Sequence, residues 1–261
     1  MQLSDIKVTS PKQEMAIKNC IFFTRAGSHL YGTSTPKSDI DFTGIFIPDK
    51  EYVLGKKKIE QVEFNTNPSN SGRPNQQGDF DCTLFALDKW TTMASANNPN
   101  RLELFFVPEN CIVHITPLGK KFLAAYELFV SLKSYGSFRG YSHEQMSRLK
   151  LKSGNNTGRK ELQDEFGYDV KLAHHNIRLY LECIQLLKEG RITFPLNENK
   201  MLLDIKRGLW SKEEFFAKSE QLSSLCETVY ANSKLQVEPN MEKINKLQIE
   251  LYEEFWGIKY N

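Results

Sequence analysis

The sequence predicts an α+β fold in which a small mixed β-sheet core is followed by a helical carboxyl-terminal half. Two observations support this prediction. Strand-like segments are concentrated before residue 86, and helical patterns dominate from Asp88 onward. Separate blocks of strands and helices are typical of α+β proteins. We therefore expect two domains, a sheet core over residues 1–110 and a helical domain over residues 111–261.

Four segments carry the β-type pattern of apolar and β-branched residues. They are residues 20–24, 40–47, 58–64 and 80–85. The stretch 65–78 is rich in Asn, Ser, Pro, Gly and Gln, which predicts a loop between the third and fourth strands.

Helical periodicity and capping signals predict a series of helices in the second half of the chain. The helices are expected over residues 88–96, 117–132, 142–151, 168–189, 211–232 and 238–254. A short helix beginning at Asn100 is also expected, with Glu103 as the second member of its capping pair. The helix over 168–189 has the clearest pattern and ends at Gly190. Its apolar positions recur at intervals of three and four, which defines one buried face: Ala173, Ile177, Tyr180, Ile184 and Leu187.

Composition places the chain among ordinary globular proteins, because 40% of its 261 residues are hydrophobic and 25% are charged. The sequence contains no run of 18 apolar residues, so it predicts no membrane span. Its first residues lack the pattern of a signal peptide. The five scattered cysteines argue against a disulfide framework or a zinc site. These features predict a cytoplasmic protein. A net charge of +2 does not by itself indicate a nucleic-acid-binding protein.

The most informative pattern is the pair Asp39 and Asp41 at the start of a predicted strand. Alternate side chains of a strand share a face, so the two carboxylates should project together, about 7 Å apart at the backbone. Mg²⁺ prefers carboxylate oxygens together with substrate phosphates. Two such carboxylates can hold the metal pair, about 4 Å apart, that phosphoryl transfer uses. An Asp-x-Asp pair alone is common and not diagnostic.

Two neighbouring features strengthen this interpretation. Gly27 and Ser28 follow the first strand, where a glycine lets backbone N–H groups approach a phosphate. A two-metal site usually needs a third carboxylate, and Asp79 and Asp81 are candidates on one face of a later strand. We favour Asp81, because it lies deeper in the predicted strand, next to Cys82, where an unpaired carboxylate would be costly without a metal.

The chain resembles the nucleotidyltransferases of the DNA polymerase beta superfamily that belong to an RNA repair pathway. The resemblance spans about residues 17 to 216, and the ordered succession of its motifs carries it. The motifs are Gly27-Ser28-x-x-Tyr31-Gly32, Ser38-Asp39-x-Asp41, Asp81, Asn98-Pro99-Asn100-x-x-Glu103-Leu104-Phe105, Tyr168-Asp169-x-Lys171-x-Ala173-x-His175-x-x-Arg178, Gly190-Arg191 and Arg207-Gly208-x-Trp210.

The resemblance implies an enzyme that moves a nucleoside monophosphate from a triphosphate, such as ATP, to a hydroxyl acceptor with Mg²⁺ or Mn²⁺. It implies a catalytic core over residues 1–110 and a helical domain over 111–261 that completes the nucleotide and acceptor site. Asp39, Asp41 and Asp81 would be the catalytic and metal-binding residues.

Lys171, His175 and Arg178 form a polar stripe on the helix over 168–189, because they lie within about 60° of one another. The pattern alone fits either a solvated surface or a wall over the nucleotide. The resemblance implies the second role, in which these side chains, together with Gly27 and Ser28, bind the nucleotide.

The sequence leaves the identity of the acceptor open. A basic run could follow an RNA backbone or could be a solvated loop; it comprises Arg139, Arg148, Lys150, Lys152, Arg159 and Lys160. The acceptor could be an RNA end, or the chain could be a toxin-like enzyme that nucleotidylates tRNA or a protein. A further alternative is a non-catalytic nucleotide- or RNA-binding module. The three clustered acids favour an enzyme, because a binding module does not need them.

Overall fold

The computed structural model describes residues 2–35, 38–66, 79–150 and 164–258. The chain forms two compact units. The sheet unit comprises Met1–Ser95, Leu104–Phe129 and Asn240–Asn261, and the helical unit comprises Ala96–Glu103 and Val130–Pro239. The sheet and the many helices confirm the predicted α+β class.

A five-stranded mixed sheet forms the centre of the sheet unit. Its strands are β1 (Cys20–Arg25), β2 (Ile40–Phe46), β3 (Gln61–Asn65), β4 (Phe80–Ala86) and β5 (Ile112–Ile115), in the order β3-β4-β2-β1-β5. β2 and β4 run parallel, and the other neighbouring pairs are antiparallel. The four predicted strands are confirmed. β5 was missed, because four residues before a helix give little periodicity to detect.

The helices of the described residues account for most of the remaining chain. They are α1 (Pro11–Lys18), α2 (Gly27–Leu30), α3 (Lys50–Val53), α4 (Leu87–Ser95), α5 (Pro99–Leu102), α6 (Pro117–Ala124), α7 (Lys133–Lys150), α8 (Val170–Glu189), α9 (Asn199–Lys206), α10 (Lys212–Asn232) and α11 (Met241–Trp256).

Several predicted helix bounds were wrong. The helix expected over 117–132 ends at Ala124, and the helix expected from residue 142 begins at Lys133. The short helix α5 starts after Asn98 with Pro99 in its first turn, so Asn100 is not its cap. Proline is favoured at this first helical position because its missing N–H needs no partner there.

One face of the sheet packs against an apolar core. Phe23 on β1 stacks on Phe42 of β2 with ring centroids 5.1 Å apart, and Leu84 of β4 is fully buried in the same cluster. α1 covers this core with Met15, after Ser10 caps the helix by accepting a hydrogen bond from the backbone of its third residue. The opposite face of the same strands carries the aspartates, because side chains alternate along a strand.

The carboxyl-terminal helix α11 belongs to the sheet unit. Leu251 is fully buried, Lys121 of α6 forms an ion pair with Glu250 at 3.2 Å, and Trp256 Nε1 donates to the Pro48 carbonyl at 3.2 Å. The predicted division between residues 110 and 111 does not coincide with the two units. The chain leaves the sheet unit and returns to it, and local sequence patterns carry no signal for such a return.

α8 is the central helix of the helical unit, where α7, α9 and α10 pack against it. Asp169 caps its start by accepting from the backbone of the next turn, and Gly190 ends it with a φ of 70°. The expected apolar face is buried, but the helix is also buried elsewhere, for example at Asn176 and Leu179. Asn176 is held by hydrogen bonds with serines of both α7 and α10. Within the described residues, no helix is both long and apolar enough to cross a bilayer.

The packing of α11 predicts a large effect of one core substitution. Leu251→Ala should lower the free energy of unfolding by about 2–5 kcal/mol, because it empties a fully buried site. Ile249→Ala on the same helix is the control, and it should change stability by less than about 0.5 kcal/mol, since Ile249 is 47% exposed. Urea unfolding of both variants measures the difference. Equal effects would contradict the docking of α11 in the sheet unit.

Candidate functional site

Three aspartates meet at one end of the parallel strand pair. The register places Asp41 of β2 directly beside Asp81 of β4, and Asp39 lies just before β2. One carboxylate oxygen of each residue lies within 4.8 Å of the others. Asp39 and Asp41 are half-buried and Asp81 is exposed. The arrangement therefore offers an all-oxygen donor set that a small hard cation can reach from solvent.

The pKa of the Asp81 carboxyl group is raised above its ordinary value. Its partial burial raises its pKa, and the neighbouring charges of Asp39, Asp79 and Glu63 raise it further. Like charges in one site disfavour ionisation, and a bound cation reverses that effect. The sheet end thus carries an acidic cluster whose ionised form would be stabilised by positive charge.

Gly27 lies directly against the side chain of Asp41. Its φ is +60°, and a Cβ at this position would lie 2.0 Å from Asp41 Oδ2. The preceding Ala26 N–H donates to the Asp41 carbonyl at 2.8 Å. A side chain at residue 27 would therefore strain the backbone and displace the carboxylate.

Ser28 is the second residue of α2. Its Oγ is buried and has no hydrogen-bond partner among the described residues. A buried hydroxyl that lacks a partner is costly, and a bound polar group would satisfy it.

We chose Asp81 over Asp79 because we expected Asp81 to be the more buried of the two, and this expectation was wrong. Asp79 is the buried member of the pair, 8% exposed, and its Oδ1 accepts from Thr66 Oγ1 at 3.2 Å. Asp81 lies on the open face of β4. The group of three nevertheless contains Asp81, because the β2–β4 register sets it beside Asp41.

The polar stripe of α8, in the helical unit, has three different environments. Lys171 is exposed, His175 is half-buried, and Arg178 is only 1% exposed. The prediction that all three lie on one accessible face was wrong for Arg178. Its guanidinium is held by two buried carboxylates, those of Glu103 and Glu182, each 2.7 Å from Nη1.

Sequence reasoning missed this buried ion-pair cluster. Glu103 was expected to cap a helix, and Glu182 was not considered. The spacing of Arg178 and Glu182, four residues apart on one helix, is a signal that could have suggested their pairing. Glu103 gives no such signal, because 75 residues separate it from Arg178.

Both histidines of this helix are uncharged near neutral pH. Burial, together with the charge of Arg178, lowers the pKa of His174 and of His175 to about 3. His175 can therefore offer a neutral hydrogen bond but not a positive charge, whereas the exposed Lys171 offers a charge.

The basic run proposed for RNA is only partly described. Arg139 Nη2 lies 3.7 Å from Glu227, and Arg148 forms an ion pair with Glu144, so both cations have acidic neighbours. Lys152, Arg159 and Lys160 lie outside the described residues, as does the side chain of Lys150. RNA binding by this run stays a prediction.

A sequence model of the RNA repair pathway DNA polymerase beta family matches residues 3–245. The chain belongs to this family. It therefore falls among the polymerase-beta-like nucleotidyltransferases, as the motifs indicated.

An uncharacterised 38.9 kDa protein of Enterobacteria phage T4, from the nrdC-mobD intergenic region, is 32% identical over 127 residues. That alignment covers 48% of this chain and spans only 37% of the phage protein. A nucleotidyltransferase-like protein from Exiguobacterium sibiricum aligns over 94% of this chain and 75% of its own, with 8% identity and a TM-score of 0.31.

The close approach of Gly27 to Asp41 predicts a specific loss of stability. Gly27→Ala should destabilise the protein by about 1–3 kcal/mol, because it combines a positive φ with a clash. Gly140→Ala is the control. Gly140 is exposed on α7 with open space around it, and alanine there should be neutral or stabilising by up to about 1 kcal/mol. Denaturant unfolding of both variants tests the prediction, and an unchanged stability of Gly27→Ala would refute it.

Proposed function

We propose that this protein is a metal-dependent nucleotidyltransferase that moves a nucleoside monophosphate from a triphosphate to a hydroxyl, and that the acceptor is an RNA end. The observation that carries the proposal is the approach of Asp39, Asp41 and Asp81 to within 4.8 Å. Membership of the RNA repair pathway family supports an RNA acceptor.

The donor set fits a divalent cation. All three ligand groups are carboxylates, burial and the charges of Asp39, Asp79 and Glu63 raise the pKa of Asp81, and Asp81 is exposed to solvent. When bound there, Mg²⁺ or Mn²⁺ would supply charge neutralisation and Lewis acidity at the phosphate. Zinc is less suited, because it favours cysteine and histidine ligands.

The roles of the chain's own residues follow from their positions. Asp39 and Asp41, at the start of β2, would hold the metal that carries the triphosphate. Asp81 lies on the neighbouring strand and is more exposed, and it would lie next to the acceptor hydroxyl. The Ser28 hydroxyl is suited to a phosphate oxygen, because it is buried and lacks a partner among the described residues. Positioning of the two reactants and neutralisation of charge would then supply the rate enhancement.

Lys171 is the cationic contact that we assign to the triphosphate. It is exposed and lies in the first turn of α8. Arg178 is not included in the nucleotide-binding set, because its guanidinium is already engaged with carboxylates in the interior.

The direct test is a transfer assay. The protein is incubated with each α-labelled ribonucleoside triphosphate, with Mg²⁺ or Mn²⁺, and with total RNA. Label should appear in RNA only when metal is present, and a 3′-blocked RNA should remain unlabelled if the acceptor is a 3′-hydroxyl. Label in protein instead of RNA would replace the RNA acceptor with a protein hydroxyl while keeping the chemistry.

We predict separable effects for the three aspartates. Asp39→Asn and Asp41→Asn should each weaken metal-dependent triphosphate binding as well as turnover. Asp81→Asn should lower turnover by about a hundredfold or more while triphosphate affinity changes much less, because the lost contact acts in the transition state. Calorimetry and the transfer assay measure the two quantities.

Glu51→Gln is the matched control for these variants. Glu51 is an exposed carboxylate of the same unit, paired with Lys57 at the surface, and its loss should change neither quantity. Near-normal transfer by Asp81→Asn together with an inactive Asp79→Asn would show that the wrong acid was chosen. Activity in all three aspartate variants would refute the metal mechanism.

Lys171→Ala is predicted to raise the KM for the triphosphate without affecting stability, because the side chain is exposed and removing it leaves no cavity. Lys188→Ala, an exposed lysine near the end of the same helix, should leave both the KM and the melting temperature unchanged. Kinetics and thermal unfolding of the pair provide the measurement. Equal KM values for both variants would assign Lys171 to the solvated surface.

A further inference from the structure

Two of the five cysteines meet inside the helical unit, and the proposed reaction gives them no role. Cys183 of α8 and Cys226 of α10 have their sulfur atoms 3.2 Å apart, within hydrogen-bond distance for two thiols. Both side chains are buried, and all five cysteines are free thiols. The two residues lie 43 positions apart, so their spacing gave no signal in the sequence.

The contact between these thiols is close to the geometry of a disulfide bond. A disulfide joins sulfur atoms about 2.05 Å apart, so closing the observed gap needs an approach of about 1.2 Å. Rotation about the Cα–Cβ bond moves a cysteine sulfur by more than this distance. The helices that carry the two residues, α8 and α10, pack directly against each other. The native packing therefore holds the two sulfurs ready for bond formation.

The two thiols are not equivalent. The hydrogen bond from Cys183 lowers the pKa of Cys226, and the positive charge of Arg139 acts in the same direction, whereas burial and the charge of Glu227 oppose it. The same hydrogen bond and burial raise the pKa of Cys183 well above its ordinary value. The thiolate is the nucleophilic form of cysteine. Cys226 is therefore the thiol that reacts first, and Cys183 is its neighbour with a proton to donate.

Cys226 also lies next to the surface of the helical unit. Its neighbours in the chain, Leu225 and Glu227, are exposed, and so is Arg139 of α7, whose Nη2 lies 3.7 Å from Glu227. Cys183 is fully buried. A small uncharged oxidant needs only a local opening of α10 to reach Cys226, and openings of this kind are ordinary fluctuations of folded proteins.

The three cysteines of the sheet unit have a different environment. Burial raises the pKa of Cys20 to about 12, and it also raises the pKa of Cys82 and of Cys111. The Cys20 thiol donates to the Phe22 carbonyl at 3.3 Å. Buried thiols with a raised pKa are poor nucleophiles. These residues therefore serve as internal controls for the reactivity of Cys226.

We propose that Cys226 and Cys183 form a redox-active dithiol that a hydroperoxide converts to a disulfide between α8 and α10. The Cys226 thiolate attacks one peroxide oxygen, so that an S–O bond forms and the O–O bond breaks. With hydrogen peroxide, hydroxide leaves and takes up the proton that the Cys226 thiol lost, which gives the first water. The Cys183 sulfur then attacks the Cys226 sulfur; the S–S bond forms, the S–O bond breaks, and the departing hydroxide takes the Cys183 proton to give the second water. The two sulfurs together lose two electrons, which reduce the peroxide.

The cross-link is tested by peptide mapping of the full chain. The reduced protein, freed of reductant, is treated with hydrogen peroxide, its remaining thiols are alkylated, and it is digested without reduction. Trypsin releases the peptides 179–188 and 219–234, each of which contains one of the two cysteines. Their alkylated forms should be lost together and replaced by one linked pair, lighter by two hydrogen atoms than the two free peptides combined. Dithiothreitol, added before alkylation, should restore both thiols.

The same treatment in urea is the control for the role of the fold, because all five thiols then become accessible. The preference for the pair of Cys183 and Cys226 should disappear there. Two free thiols at this pair in the oxidised native protein would overturn the proposal. So would native cross-links that join other cysteines to the same extent, or an identical pattern in urea.

The order of reaction is tested with two serine variants and dimedone, a reagent that traps sulfenic acids. Cys183→Ser keeps a hydroxyl donor for Cys226 but removes the second sulfur, so a dimedone adduct should accumulate at Cys226. Cys226→Ser should give no adduct at Cys183. Cys111→Ser is the matched control, and it should form the cross-link as the unaltered protein does. An adduct at Cys183 in Cys226→Ser as abundant as that at Cys226 in Cys183→Ser would reject the assigned order. If a variant does not fold, the peptide map of the unaltered protein still decides whether the pair forms.

Discussion

The parallel pairing of β2 with β4 is the constraint on which the candidate site depends. It places Ile40 beside Phe80 and Asp41 beside Asp81, so two carboxylates from segments 40 residues apart meet on one sheet face. A shift of one residue in this register would turn one of the two carboxylates toward the apolar core. Phe42 and Leu84, on the core face, make such a shift costly because they would lose their burial. The apolar packing on one side of the sheet therefore maintains the cluster of aspartates on the other.

The part of the site that depends on local geometry could be predicted from the sequence. The alternation of a strand is enough to put Asp39 and Asp41 together, and the glycine before Ser28 indicates a close backbone approach. The structure adds the reason for that glycine, since a Cβ there would meet the Asp41 carboxylate. Asp81 was selected with an incorrect burial argument, because exposure at the end of a strand depends on which segments cover it. Asp79 is the buried residue, and its Oδ1 accepts a hydrogen bond from Thr66.

The helical unit was predicted less well, for a different physical reason. Helical periodicity assumes one buried face, and α8 is packed by three other helices, so the polar stripe on its surface did not indicate exposure. Arg178 shows the consequence: its charge is compensated by Glu103, which is distant in sequence, and by Glu182, which is close. Desolvation and ion pairing decide the position of such a side chain, and both depend on tertiary contacts that a single sequence does not display.

The return of α11 to the sheet unit has a consequence for synthesis of the chain. Leu251 completes packing in a unit whose sheet strands all lie before residue 116. During translation, the strands therefore leave the ribosome more than a hundred residues before α11, which packs against α4 and α6 of the same unit. Until α11 is made, α4 and α6 lack this contact, while α7 to α10 can pair with near neighbours in the chain. Since domains generally fold as units during synthesis, the helical unit, which ends at Pro239, is expected to complete its packing before the sheet unit, which needs α11.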